Sequence, residues 1–381
     1  MNKEIVNEVR SRKNRLDESL SIYACKSEDA IYLNEVKIDD FETRLAFHKD
    51  TDKILYSKAY IRYIGKTQVY SNVDNDMITT RSTHVQYVSH IARNIARILN
   101  VNEDLCEAIA LGHDLGHTPF GHLGETILNK ISKEKLGRNF NHNIQSVRNL
   151  IAIENKGRGI NISLQVLDGI MCHNGELLLD EYKPIVKTKE QFFKEYNDSY
   201  TDNEVIKKMI PMTLEGCIVR ISDVIAYLGK DIEDAIRLNK FTTEKLSKEI
   251  KENLGETNSQ IINNIIKDII TNSYDKGYIK MSPKIFDLVK KTLDSNYEYI
   301  YLKANSKEDI VKYENMFYKL YEIYEKALTN KNIENDIYID FLNSKCKEYL
   351  DNNSNKQKII DYLAGMTDRY FLNKYEKYSK K

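Results

Sequence analysis

The sequence predicts an all-α chain. The 381 residues hold only 4 prolines. Lys, Glu, Ile, Leu and Asn are abundant, and apolar residues recur at helical spacing in one segment after another. The length permits one large domain or two smaller ones with a real core. The 57 basic residues are matched by 57 acidic ones. No global field therefore attracts nucleic acid, and such a partner is expected to be weak or absent. The five cysteines, Cys25, Cys106, Cys172, Cys217 and Cys346, form no C-x-x-C pair and read as reduced thiols. With no signal peptide and no apolar run near the ~20 residues of a membrane span, a cytoplasmic chain without a membrane partner is expected.

Residues 1 to 40 are polar with a basic start (Arg10, Arg12, Lys13, Arg15) and read as a solvated arm or first helix. Ile54, Leu55, Ala59, Ile61 and Ile64 follow at roughly helical spacing up to Gly65, and residues 71–76 read as a loop. Over 83–99, His84, Val88, Ile91 and Ile95 fall at i, i+4, i+7 and i+11, which is one face of a helix with His84 inward at its first turn. Asn102 is the expected N-cap of the next helix, and Glu103 and Asp104 suit its positive end. Leu105, Ala108, Ile109 and Leu111 carry that helix to His113. Ile127 and Ile131 mark a short helix, 139–151 another, and 162–172 a third that leads to His173-Asn174-Gly175-Glu176. The polar, tyrosine-rich stretch 177–210 reads as an excursion outside the core. Over 214–236 a strong helix carries the apolar stripe Ile218, Ile221, Ile225, Leu228 and Ile232 beside a polar line of Arg220, Asp223, Tyr227 and Asp231. That line fits a cleft wall or a solvated face. From 245 onward helices are expected over 261–270, 283–293, 309–328, 337–350 and 358–366, with no chemical cluster. The chain divides on this reading into 1–245, which carries the chemistry, and 246–381, a helical region for packing, subunit contact and lid formation.

Residues 111–125 hold three of the eight histidines. His113-Asp114 sets a nitrogen and an oxygen ligand side by side, which suits a borderline-to-hard divalent ion. His84 supplies a second inward imidazole, and Asp223 is the best-placed later acid. His84, His113, Asp114 and Asp223 are thus the candidate ligands, with a buried metal-free His–Asp network as the alternative. Two histidines and two carboxylates admit Mn, Mg, Fe, Co, Ni or Zn, and leave room for the water and substrate oxygen of hydrolytic Lewis-acid chemistry. His117, His122, His142 and Glu125 then belong to a surrounding shell or to proton transfer, Glu125 lying three residues after His122 and able to orient it. Arg81 and Lys66 are candidate phosphate cations, or simply surface charge. His48 and His90 read as structural. His173 shapes a turn or rims the site, with the structural role ahead.

The order His84, His113-Asp114, Asp223 resembles the HD superfamily of metal-dependent phosphohydrolases. Longer strings narrow the likeness: Lys66-Thr67-Gln68-Val69-Tyr70, Arg81-Ser82-Thr83-His84, the run 113–125, Phe140-Asn141-His142-Asn143-Ile144-Gln145-Ser146, and Asp223-Val224-Ile225-Ala226-Tyr227 continuing to Asp231. Together, over 47–236, they resemble the dGTPase-like deoxynucleoside triphosphate triphosphohydrolases. The resemblance implies a helical HD core in 1–245, one divalent metal, and attack at the α-phosphorus of a dNTP that yields deoxynucleoside and inorganic tripolyphosphate. It implies His84, His113, Asp114 and Asp223 as metal ligands, and His122, Glu125 and His142 as catalytic groups. By the same likeness His117 lies near the α-phosphate, Gln68 at the base or sugar, Arg81 on phosphate, Tyr227 on the deoxyribose face and Asp231 at the 3′-hydroxyl. A homo-oligomer, tetramer or hexamer, and a nucleotide effector are further family traits. The chain departs from the pattern at Ser222-Asp223, where many relatives carry Asp-Asp, and at 60–64, where Arg62 alone remains of an Arg-rich stretch. The alternatives are an HD phosphohydrolase for another nucleotide and a catalytically silent nucleotide-sensing scaffold.

Overall fold

Helices build the fold because the sequence supplies both their apolar stripes and their caps. The computed structural model describes residues 3–37, 39, 41–70, 75–173 and 178–380. Residues 71–74 of the expected loop, and Asn174, Gly175 and Glu176 after His173, lie outside the described residues. Among the described residues the only sheet is a two-stranded antiparallel pairing of Glu181–Tyr182 with Ile279–Lys280. No helix is long and apolar enough to cross a membrane among them.

The helix predicted over 83–99 spans Arg81–Leu99 and stops where Asn100 turns left-handed at φ 55°. The Asn102 side chain accepts the Leu105 N–H at 3.2 Å, so the next helix, Glu103–Gly112, starts at the expected cap. These two pack on one another and on Leu214–Leu228, with Ala46–Leu55 and Leu164–Met171 closing the bundle. Every residue of Leu164–Met171 is buried, so this helix is core on all sides. Residues 3–18 form a largely exposed first helix.

The apolar side chains form two clusters. The first runs from Phe47 to Ile300 and includes Val85, Ile109, Ile144, Ile170, Ile221 and Ile265. The second joins Phe120, Ile127, Leu128 and Ile131 to Phe317, Tyr321, Ile359 and Phe371. The two clusters interleave along the chain, since Phe120, Phe140 and Ile153 belong with residues 313–371. Residues 246–300 belong with the first core.

Three expectations are corrected. The stretch 177–210 is no excursion: Tyr182, Phe192, Tyr196, Ile206 and Met209 are buried in the first core. Its helix Lys189–Asp198 begins with a capping box of Thr188 and Gln191, a local signal present in the sequence. The helix expected over 214–236 is interrupted at Gly229, where a Cβ would stand 2.6 Å from Asn258 Oδ1. The helix expected over 337–350 is two short ones, Asp336–Asp340 and Lys347–Asn352. Between them Lys345 Nζ donates to Ile153 O and Cys346 N–H to Lys156 O, both at 2.7 Å, so tertiary bonds replace the helical ones. A final helix, Asp368–Ser379, had no counterpart in the sequence reading.

One buried ion pair ties the cores together. Arg148, after Val147 of the first, donates to both oxygens of Asp361, on the Asn355–Ala364 helix of the second, at 2.8 and 2.7 Å. Tyr349 Oη at 2.7 Å and Gln357 Nε2 at 3.0 Å complete the carboxylate's shell. Removing one partner of such a pair strands the other charge. Arg148→Ala is therefore expected to cost about 3–5 kcal/mol in urea denaturation; a loss below about 1 kcal/mol, the range of an exposed pair, contradicts this account.

Candidate functional site

The candidate metal donors come from three helices of the first core. His84 sits in the first turn of Arg81–Leu99, His113 and Asp114 follow Glu103–Gly112, and Asp223 lies within Leu214–Leu228. All four side chains are buried. His84 Nε2 lies 2.9 Å from Asp223 Oδ1, while His113 Nε2 lies 3.5 Å from Asp114 Oδ1 and 3.8 Å from Asp223 Oδ1.

The imidazole of His113 is oriented as a ligand would be. Its Nδ1 lies 2.7 Å from the Ala110 carbonyl, which can only accept, so Nδ1 carries the proton. Nε2 then presents a lone pair, yet it is buried and makes no hydrogen bond among the described residues. An orphaned acceptor between two carboxylates is a poor resting network and a good ligand set. Donor atoms spaced by 2.9–3.8 Å suit ligand bonds of about 2.0–2.2 Å. Burial pushes Asp114 and Asp223 upward, but His113 and Arg81 on the first, and His84 and His113 on the second, hold both below the usual carboxylate range. Both stay ionised, as ligands must.

Beside these donors lies a stack of histidines. His142 opens the His142–Arg148 helix, and its Nδ1 meets both oxygens of Glu125 at 2.9 and 3.0 Å. Glu125 also accepts the His142 backbone N–H at 2.7 Å. Burial opposes a charge on His142, but Glu125 outweighs it and raises the imidazole to about 9. His117 stacks on His142 with centroids 3.9 Å apart, and its Nε2 lies 3.3 Å from Asp114 Oδ1. Burial, then Arg81 and His142, drive its pKa well down, so it stays neutral. His122 is the outer member: its side chain is 57% exposed, with Nδ1 3.4 Å from Glu125 Oε2.

The candidate substrate groups are less uniform. Arg81 is buried and bonds Asp114 Oδ2 through Nη1, while its Nε and Nη2 have no partner among the described residues. It thus steadies the carboxylate and keeps two donors in reserve. Gln68 leaves its Oε1 buried without a partner among them. Tyr227 is half-buried at the end of Leu214–Leu228. Asp231, beyond the Gly229 break, accepts the Tyr301 hydroxyl at 2.6 Å, and burial pushes it up to about 6 despite that bond. Lys66 is a correction: expected among phosphate cations, it is buried, and its ammonium donates to the carbonyls of His117 and Ala364. Burial lowers its pKa to about 7.

Comparison with known proteins agrees with this arrangement. Residues 81–228 match the HD domain, and residues 279–377 the phosphohydrolase-associated domain. The chain is 36% identical to a deoxyguanosinetriphosphate triphosphohydrolase-like protein of Caldanaerobacter subterraneus subsp. tengcongensis over 363 residues, covering 94% of this chain and 91% of that one. Proteins of the same description from Clostridium tetani (34% identical; 88% and 86% covered) and Desulfatibacillum aliphaticivorans (33%; 88% and 87%) are similar along most of their length. The chain belongs to this family of HD-domain phosphohydrolases. It is a hydrolase of the HD class, and its cofactor is a divalent metal ion whose identity the donor set leaves open.

His173, read from the sequence as shaping a turn or rimming the site, also stands in this cluster. His173 Nε2 lies 3.1 Å from His142 Nε2 and 4.0 Å from Asp114 Oδ1, with the ring buried. Its Nδ1 bonds the Ile170 carbonyl at 2.6 Å, the same i−3 pattern that fixes His113. Both histidines end an apolar helix, and that shared position was the available signal. Burial, then His113 and His142, lower His173 to about 3, so it remains a neutral acceptor.

Asp114→Ala is expected to leave less than about a tenth of the wild-type metal content by elemental analysis of the purified, folded protein. Full retention would mean that the ion sits on other donors.

Proposed function

We propose that this HD phosphohydrolase cleaves deoxynucleoside triphosphates to deoxynucleoside and inorganic tripolyphosphate. One observation carries the reading: the Glu125–His142 pair stands directly against the His84, His113, Asp114 and Asp223 donor set. His142 Nε2 lies 3.9 Å from Asp114 Oδ1. The relatives' description as deoxyguanosinetriphosphate triphosphohydrolase-like supports the substrate class.

When bound to His84, His113, Asp114 and Asp223, the divalent ion supplies Lewis-acid polarisation at the scissile phosphate. The protein's own groups do the rest. Glu125 fixes Nδ1 of His142, which leaves the mobile proton at Nε2, facing the reacting centre. His117, neutral and buried, contacts the α-phosphate side. The spare Nε–H and Nη2–H donors of Arg81 bind phosphate oxygens in the planar geometry that guanidinium favours. His122, on the open side of Glu125, serves proton transfer at the leaving end. Gln68 offers an unpaired carbonyl to the base or sugar. Tyr227 packs on the deoxyribose face, where a 2′-hydroxyl would be crowded, and Asp231 receives the 3′-hydroxyl.

The test is product identification with each dNTP and NTP in Mn²⁺ or Mg²⁺. Deoxynucleoside with tripolyphosphate is expected; monophosphate with pyrophosphate, or no turnover with any metal, overturns the reading. His142→Ala is expected to keep its metal and lose about 10²–10⁴-fold in kcat. Unchanged turnover in that variant would place His142 among structural residues.

A further inference from the structure

We infer that Asp368, far outside the HD domain, is a positioning residue for the catalytic turn. It holds the Thr67–Gln68 segment and the His117–His122 turn in register with each other. The inference rests on the proposed reading only in taking those two segments to face substrate.

The turn between His117 and His122 is an unusual piece of backbone. Phe120 is left-handed at φ 62° and ψ 27°, a region that residues with a side chain rarely occupy, and Gly121 follows at φ 57°. Such a conformation persists only where the surroundings impose it. Here they come from residues 313–371. The Phe120 ring stacks on Tyr313 with centroids 4.2 Å apart and meets Phe371 edge-on at 5.2 Å. Its N–H donates to Asp368 Oδ1 at 2.9 Å.

The second oxygen of Asp368 holds the other segment. Oδ2 accepts the Thr67 N–H at 3.2 Å and the Thr67 hydroxyl. Neighbouring contacts repeat the junction. Lys66 Nζ bridges the carbonyls of His117 and Ala364, and a Cβ on Gly65 would stand 2.9 Å from Thr367 Cβ. The two segments also touch directly: a Cβ on Gly121 would lie 3.1 Å from Gln68 O and 3.4 Å from Arg81 Nη2. The Lys66 carbonyl accepts the Arg81 N–H at 3.1 Å, so the same segment seats the helix that carries His84. One carboxylate thus bonds one residue before Gln68 and two residues before His122, with an oxygen for each.

Asp368→Ala removes all three hydrogen bonds without touching a candidate metal donor. We expect unchanged metal content and a loss in kcat/KM on the order of 100-fold, the scale of a displacement of about 1 Å in a reacting geometry. Thr67→Val releases only the hydroxyl tie and should raise KM with kcat little changed. Hydrogen exchange gives a readout independent of activity. In Asp368→Ala the amides of residues 118–122 should exchange faster, while those of 88–99 and 105–111 keep their protection. Wild-type kinetics and a protected turn would overturn the inference, leaving Asp368 a simple helix N-terminal acid. Faster exchange throughout, with a large drop in Tm, would overturn it equally by making Asp368 a global stability residue. If the wild-type protein fails to cleave dNTPs, the proposed function falls, while the exchange comparison still decides this inference.

Discussion

The site depends on the ionised state of one buried carboxylate, Asp114. Burial alone would neutralise it. His113, Arg81 and His117 surround it and hold it charged. Its two oxygens are divided between tasks. Oδ2 is bound by Arg81, while Oδ1 faces His113, His117, His142 and His173 at 3.5, 3.3, 3.9 and 4.0 Å. Arg81 begins the helix that delivers His84 one turn later, so the residue that steadies the carboxylate also registers the next ligand. Without a cation at this centre, the Nε2 lone pairs of His113 and His173 face one negative oxygen. A divalent ion held here would resolve that conflict.

Around this centre the molecule brings two hydrophobic cores together. His142 stands on the helix that contributes Ile144 and Val147 to the first core, and Glu125 on the helix that contributes Ile127 and Leu128 to the second. The hydrogen-bonded pair therefore spans the boundary, as does the Arg148–Asp361 ion pair. A helical layer without candidate metal donors still shapes the site, because it fixes Glu125, one half of that hydrogen-bonded pair.

Much of this was legible in the sequence, wherever the signal was local. The spacing of Val88, Ile91 and Ile95 gave the helix and turned His84 inward. Asn102 announced its own role as a cap. His113-Asp114, and Asp223 within an apolar helix, pointed to a cluster that the fold does assemble. The illegible parts depend on distant partners. Lys66 reads as a surface cation until the carbonyls of His117 and Ala364 claim it. His173 reads as a turn residue until the ring of His142 stands against it. The apolar residues of 177–210 are sparse enough to suggest an exposed loop, yet Phe192 and Tyr196 are individually large enough to anchor it. Tyr301 and Asp368 lie in segments with no chemical pattern, and only folding brings them to Asp231, Thr67 and Phe120.

The separation of the two cores has an evolutionary consequence. The candidate metal donors stand on helices of the first cluster and the rings around Phe120 belong to the second, so substitution can reach one without the other. Substitutions that loosen the packing of Phe317, Tyr321 or Phe371 change how firmly the left-handed turn at Phe120 is held, without replacing any candidate ligand. The shape of the turn can therefore drift through residues far from the candidate donors.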